Sequence, residues 1–175
     1  EYAEEQMALS RTSPVGRLRV NAAAPFMDQV IVPLIAGFRQ CFPHIELELN
    51  TDNLIIDLLE KRTDIAIRIG VLRDSTIHAR LLGASQLRIL ASPDYLARFG
   101  VPSSVEELRH HSLLGFTQPE SLNLWPLRYH QKKYYAMTPT LSASSGETLR
   151  LLALRGEGIV RLADFMTQED WQAGR

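Results

Sequence analysis

The sequence predicts an α/β protein of two lobes, each holding a mostly parallel sheet flanked by helices. Three observations carry that prediction. Residues 45–70, IELELNTDNLIIDLLEKRTDIAIRIG, read strand, helix, strand. A strand–helix–strand of this length is a right-handed crossover. Strand and helix patterns alternate through the rest of the chain, which returns near Ile159 with another apolar strand.

The elements follow in order. Glu1 to Leu9 is rich in helix formers and reads as the end of a helix beginning upstream. Thr12 to Gly16 is a turn or linker. From Arg17 to Ala23, Leu18, Val20 and Ala22 alternate inward as a first strand. Pro25 to Phe42 follows as a helix, with a 3.6-residue stripe through Met27, Val30, Ile31, Leu34, Ile35, Phe38 and Cys41. Pro33 lacks an N–H and should kink it, and Pro43 stops it.

Ile45, Leu47 and Leu49 alternate with Glu46, Glu48 and Asn50, the period of a half-exposed strand. Leu54 to Leu59 form a short helix that Thr51, Asp52 and Asn53 can cap. Ile65-Ala66-Ile67 has the composition of a buried parallel strand. Arg73-Asp74-Ser75 is a polar turn before a long strand region, Ala79 to Ala91. Ser92-Pro93 opens a helix from Asp94 to Phe99, closed by Gly100.

Ser104 and Glu107 have capping-box spacing for a short helix to about His110. Leu113 to Phe116 and Tyr134 to Ser142 read as strands around a hairpin-like region containing Trp125, a core anchor. Ser144 and Glu147 repeat the capping-box spacing, before a helix with Leu149, Leu152 and Ala153 on one face. Gly156 ends that helix, Ile159 to Leu162 is a strand, and Thr167 to Gln172 starts a last helix.

Composition narrows the function. An apolar content of 45% and a charged content of 22% are ordinary for a soluble globular protein. A formal charge of −1 gives no general attraction to nucleic acid or acidic membranes. Cys41 is alone, so no intramolecular disulfide forms, which fits a reducing cytosol. No apolar run approaches a membrane span, and no signal peptide is expected. The absence of an initial Met suggests a fragment of something longer. The histidines lack metal-ligand spacing, and His110 and His111 cannot both face one metal from a regular helix. Ser144-Ser145-Gly146 lacks the nucleophile-elbow pattern, so helix capping is its ordinary role. No catalytic constellation, cofactor motif or metal site is expected.

The chain resembles the effector-binding (regulatory) domain of LysR-type transcriptional regulators. The resemblance is carried by Gly16 to Val20 with Ala24-Pro25-Phe26, then by Leu34 through Phe42-Pro43. It continues through Asp64 to Gly70, Asp74-Ser75 with Ala79-Arg80, Ala91 to Leu96, and Gly156 to Ile159. Order and spacing together make it specific, and it covers Gly16 to about Arg175.

The resemblance implies a periplasmic-binding-protein-like fold with crossover strands. Residues 1–15 would be the end of a linker helix and linker. Residues 16–88 with 164–175 would form lobe I, and 89–163 lobe II. It implies a cytoplasmic, non-enzymatic sensor that binds a small molecule between its lobes and signals to a DNA-binding part absent here. It implies a homodimer or tetramer, with Ile31, Ile35 and Leu149 in the contact. DNA would be a partner of the full-length protein only. The chain departs from the family pattern at Lys61-Arg62-Thr63, in stopping before a further strand and helix, and at Arg161, where an apolar residue is usual. A periplasmic solute-binding protein, which shares the architecture, is the alternative. The missing signal sequence and the helical leader count against it.

Four segments each follow a strand and precede a helix: Ala24-Pro25-Phe26, Thr51-Asp52-Asn53, Ser92-Pro93 and Ser144-Ser145. Helix N-termini present free N–H groups, so these segments should converge on an effector. Arg68 follows a strand and could add a charge-assisted contact. The donors favour a small carboxylate. Asp52 has the opposite sign, which leaves a zwitterionic or less polar effector open.

Overall fold

The computed structural model describes residues 13–51, 63–70 and 78–175. The expected helices at Glu1–Leu9 and Leu54–Leu59, the caps Asp52 and Asn53, and the turn Arg73–Ser75 lie outside the described residues. The chain divides into two units, Glu1–Leu81 and Leu82–Arg175.

The first unit is built on three parallel strands, β1 (Gly16–Ala22), β2 (Ile45–Asn50) and β3 (Ile65–Ile67), in the order β2-β1-β3. The central strand is the best buried: Ala22 is fully covered, and Val20 and Asn21 are buried. On the polar face, register sets Arg17 beside Glu46 and Arg19 beside Glu48. Both pairs close as ion pairs, at 3.0 and 3.1 Å. They are largely solvated, so each contributes under about 1 kcal/mol. Hydrogen bonds from Asn50 and then Arg19 hold the Glu48 carboxyl below the usual carboxylate range. β3 pairs on one side only among the described residues. Ile65 is 46% exposed and Ala66 is also exposed, so this strand is not buried as its composition suggests.

The helix after β1 is present but broken. It runs as α1 (Ala24–Phe26), a π stretch (Met27–Ile31), a 3-10 turn (Val32–Leu34) and α2 (Ile35–Cys41). The cause is Pro33. It has no N–H to donate, and its ring crowds the carbonyl four residues back. The chain widens to Val32 N–H to Met27 O before the proline. It then tightens to Ile35 N–H to Val32 O after it. The outer surface leaves Val32 51% and Leu34 64% exposed, with Ile31 and Ile35 half-buried.

The second unit holds β4 (Leu87–Leu90), β5 (Leu113–Phe116), β8 (Leu141–Ala143) and β9 (Ile159–Ala163) in the order β4-β9-β5-β8. β9, β5 and β8 are parallel, and β4 runs antiparallel to β9. Only Leu87–Leu90 of the long strand expected from Ala79 to Ala91 forms, and Leu81 and Leu82 are 87% and 71% exposed. The strand expected from Tyr134 to Ser142 splits into β7 (Tyr135–Ala136) and β8. Pro139 lies in the gap, where a ladder donor is missing. β7 pairs with β6 (Leu124–Trp125) as the expected hairpin.

Strand alternation gives this sheet a core on each face. Tyr95, Leu108, Leu113, Trp125, Met137 and Ile159 fill one, and Trp125 is the anchor at 1% exposure. Leu114, Leu149, Ala153, Val160, Leu162 and Met166 fill the other. Helices α3 (Pro93–Phe99), α4 (Gly146–Leu154) and α5 (Asp164–Gln172) flank the sheet. Residues 164–175, expected in lobe I, pack here. Arg150 on α4 donates to both Asp170 oxygens on α5, at 2.6 and 2.9 Å, and Asp164 N–H donates to Gln86 O. Residues 82–88, also expected in lobe I, belong to this unit as well.

Two caps differ from their expected positions by one residue. The helix at 106–110 is a 3-10 turn, and Glu107 takes the Ser103 N–H at 2.7 Å and the Ser103 hydroxyl at 3.0 Å. Ser104 is not the partner. At α4, Ser145 and not Ser144 accepts the Thr148 N–H. The Ser103 backbone bond, then its hydroxyl, hold the Glu107 carboxyl below its ordinary value of 4.5. A depressed carboxylate stabilises the fold above its unfolded pKa and loses that contribution as pH falls through its folded value. In an acid titration by NMR, the Ser103 amide shift should therefore report a midpoint below the ordinary glutamate value. A midpoint above the usual glutamate range would contradict this pairing.

Tyr95 links α3 to the strand that follows. Its hydroxyl accepts the Ser112 N–H at 3.1 Å and lies 2.8 Å from His111 Nδ1.

Candidate functional site

In the first unit the three strands end together. Asn21 pairs with Asn50 and Ala22 with Ile67, so the chain leaves β1, β2 and β3 at one sheet end. Ala24, Pro25 and Phe26, then Thr51, then Arg68 follow these strands directly. These residues therefore lie at one end of the sheet of this unit, and Asp52 and Asn53 lie outside the described residues. Ala24 and Thr51 are exposed, and Pro25 and Phe26 are half-buried.

Arg68 is the chemically distinctive member. Its Nη1 donates to Asn21 Oδ1 at 2.9 Å and to Ile67 O at 3.1 Å. Its Nη2 is buried and has no hydrogen-bond partner. The side chain makes no ion pair among the described residues. Its cation is thus oriented from beneath by a buried amide and keeps a donor unspent at the carboxyl end of a parallel sheet. Asn21 was not foreseen, because one polar residue in a strand reads as solvent-facing until its neighbours cover it.

In the second unit the expectation fails for Ser92. β4 is antiparallel, with Leu87 opposite Ala163 and Leu90 opposite Val160. Its carboxyl end, and Ser92 beyond it, therefore lies at the amino ends of β9, β5 and β8. Ser144 and Ser145 follow Ala143, which pairs with Phe116 at the carboxyl ends. Ser92 and the Ser144-Ser145 pair occupy opposite ends of one sheet. Ser92 is also buried, and its Oγ accepts the Tyr95 N–H at 3.2 Å, so it is a helix cap. A pocket of about 380 Å³, counting its open mouth, borders Ser92 and is floored by Leu90, Val160 and Leu162. It holds none of the other expected site residues.

At the carboxyl end, Ser144 and Ser145 are exposed and Ser145 caps α4. Thr117, beyond β5, is exposed, and its N–H donates to Ala143 O at 3.0 Å. The following segment is fastened from two sides. Asn123 accepts the Phe116 N–H at 2.9 Å and donates to Phe116 O at 2.8 Å. Arg161 on β9 donates to Leu122 O at 2.6 Å and Leu124 O at 2.9 Å. Arg161 is buried, its Nε has no partner, and burial pushes its pKa down. The departure at 161 was visible in the sequence, but its target carbonyls were not.

Of the expected contact residues, Ile31 and Ile35 lie on the partly open surface of the broken helix. Leu149 does not lie on a surface: it is 0% exposed and central to one core. The outward leucine of α4 is Leu151, at 51% exposure. Among the described residues no cluster of His, Cys, Asp and Glu could hold a metal. No described helix is long and apolar enough to cross a membrane.

An α/β chain with two mostly parallel sheets and polar donors at their carboxyl ends has the form of a small-molecule-binding module. The model of the LysR substrate binding domain matches residues 11–175, and the chain belongs to that family. It is 44% identical over 173 residues to the HTH-type transcriptional regulator CrgA of Neisseria meningitidis serogroup B, covering 99% of this chain and 58% of that protein. An HTH-type transcriptional regulator of Xanthomonas campestris is 29% identical over 179 residues, covering 99% of this chain and 52% of the relative. The chain thus spans little more than half the length of these relatives.

The solved CrgA regulatory domain from Neisseria meningitidis has a TM-score of 0.86 at 46% identity, covering 92% of this chain and 79% of that one. The full-length Vibrio cholerae virulence activator AphB gives 0.79 at 27%, covering 99% and 59%. The two-lobed α/β fold class expected from the sequence is that of these regulatory domains. The relatives named here are transcriptional regulators.

Proposed function

We propose that this chain is the effector-sensing part of a cytoplasmic LysR-type regulator. A small molecule engages the carboxyl end of a parallel sheet and shifts the populations of conformers that a DNA-binding part reads. The observation that carries the reading is Arg68. A cation set by Asn21, with a buried donor unspent at a sheet end, suits an anionic group. The effector is therefore a small carboxylate-bearing molecule, with Thr51 and the Ala24–Phe26 turn as further contacts beside Arg68; Thr117 and the Ser144-Ser145 cap of α4 are the exposed donors at the corresponding sheet end of the second unit. Ser92 is not among them. Two copies pair through the broken helix, with Ile31 and Ile35 facing Leu151 of the partner.

The test is a thermal-shift screen of small carboxylic acids beside their neutral amides. A ligand that binds only the folded state raises the melting temperature. Arg68→Ala should weaken the best acid at least about tenfold, the loss of one charge-assisted bond. Thr51→Val and Ser145→Ala should have smaller effects. Unchanged affinity in all three variants would place the effector elsewhere.

A further inference from the structure

The hairpin beyond β6 carries a feature that effector sensing does not use. Residues 121–146 contain no aspartate or glutamate, although the whole chain is slightly acidic. Within that run Arg128, Lys132 and Lys133 lie together, and two of the three lysines of the chain are in this pair. All three side chains are exposed. Among the described residues every ion pair of this unit is made by other side chains, and the three cations meet no carboxylate.

The backbone presents them on a tight tip. Tyr129 and Lys132 exchange both hydrogen bonds, at 3.1 and 2.9 Å. Between them His130 and Gln131 adopt φ of 45° and 62°. Two left-handed residues in a two-residue loop make a type I′ turn, which normally selects Asn-Gly. This chain holds two bulkier polar residues there, at a cost the sequence could have avoided. Tyr129 packs against His130 and Tyr135, at ring separations of 4.1 and 5.3 Å, which stiffens the turn. Tyr134 is 54% exposed beside the lysines.

We propose that this hairpin is an auxiliary contact to the phosphates of duplex DNA. Lys and Arg are the usual phosphate partners, and an exposed tyrosine hydroxyl can add a hydrogen bond. A two-stranded ribbon also fits the width of the major groove. An acidic protein is the other polyanion such a cluster could meet, and the experiment below separates the two. The relatives are helix-turn-helix regulators, so DNA is the polyanion already at hand. The near-zero total charge concealed this patch, because acidic residues elsewhere cancel it in the sum. The inference stands apart from the effector reading and survives if no carboxylate is found.

The experiment is a fluorescence-anisotropy titration of a labelled duplex of arbitrary sequence with the 175-residue chain, between about 20 and 150 mM salt. Three phosphate contacts predict weak binding whose log–log salt slope is about −2.7, from roughly −0.9 per contact. The triple variant Arg128→Gln, Lys132→Gln, Lys133→Gln should bind at least about tenfold more weakly at the lowest salt with an unchanged melting temperature. Lys133→Gln alone should reduce the slope by about 0.9. Arg39→Gln, an exposed control in the first unit, should bind as the parent does. Three results would overturn the proposal: no binding by the parent chain, undiminished binding by the triple variant, or tighter binding to polyglutamate than to DNA. The last would assign the tip to an acidic protein. If the triple variant loses its fold, the single variant decides, and an unchanged slope there counts against DNA.

Discussion

Leu149→Asp is expected to abolish the folded second unit rather than to loosen an assembly. The side chain is fully buried among Leu114, Ala153, Val160, Leu162 and Met166. A carboxylate there would have no partner, and burying it costs more than a marginal fold retains. Leu149→Ala gives the graded form, a loss of roughly 2–5 kcal/mol from lost contacts and the cavity left behind. Denaturant unfolding monitored through both tryptophans, Trp125 and Trp171, measures it. Ile35→Asp is the companion: its half-buried side chain should change stability less and oligomeric state more. If Leu149→Asp kept the parental melting temperature and altered only the oligomer, the core placement would be wrong.

Asp170→Ala is expected to cost roughly 2–4 kcal/mol. Asp170 is buried and accepts from Arg150 twice, with Arg175 3.0 Å away. Removing one partner of a buried pair leaves the other charge uncompensated, at about 3–5 kcal/mol when both are fully enclosed. The figure is reduced here because Arg150 keeps Glu147 at 2.8 Å and Arg175 is more than half exposed. Asp170 first, then Glu147, hold the Arg150 guanidinium above its ordinary pKa. A double variant with Arg150→Met should recover part of the loss, since it removes the stranded cation. A cost below about 0.5 kcal/mol for Asp170→Ala would mean that α4 and α5 are held by their apolar contacts alone.

Much of the frame was legible in the sequence. The alternation through Leu18, Val20 and Ala22, the apolar run from Ile159, and the turns at Pro43, Gly100 and Gly156 each located an element. The resemblance supplied the family, and the comparisons bear it out. Strand direction was the illegible part. Ser92-Pro93 and Ser144-Ser145 look alike in sequence, each a cap after a strand, yet one strand runs antiparallel and they fall at opposite ends of the sheet. A local pattern records which residues start a helix, not which way the preceding strand enters its sheet. Helix faces were uncertain for a related reason. Periodicity set Leu149 with Leu152 and Ala153 apart from Leu151 on α4, but only packing shows that this face meets the core and not a partner.

The Tyr95 hydroxyl between Ser112 and His111 has a spectroscopic consequence. A backbone amide can only donate, so the phenol oxygen receives from Ser112 and keeps its own hydrogen to give. Nδ1 of His111, 2.8 Å away, is the acceptor in reach, and giving to it requires the neutral ring to carry its hydrogen on Nε2. The opposite arrangement, Nδ1–H donating to the phenol's remaining lone pair, is the one a spectrum distinguishes. In a nitrogen-15 spectrum of the neutral ring, Nδ1 of His111 should resonate as a pyridine-like nitrogen and Nε2 as a pyrrole-like one.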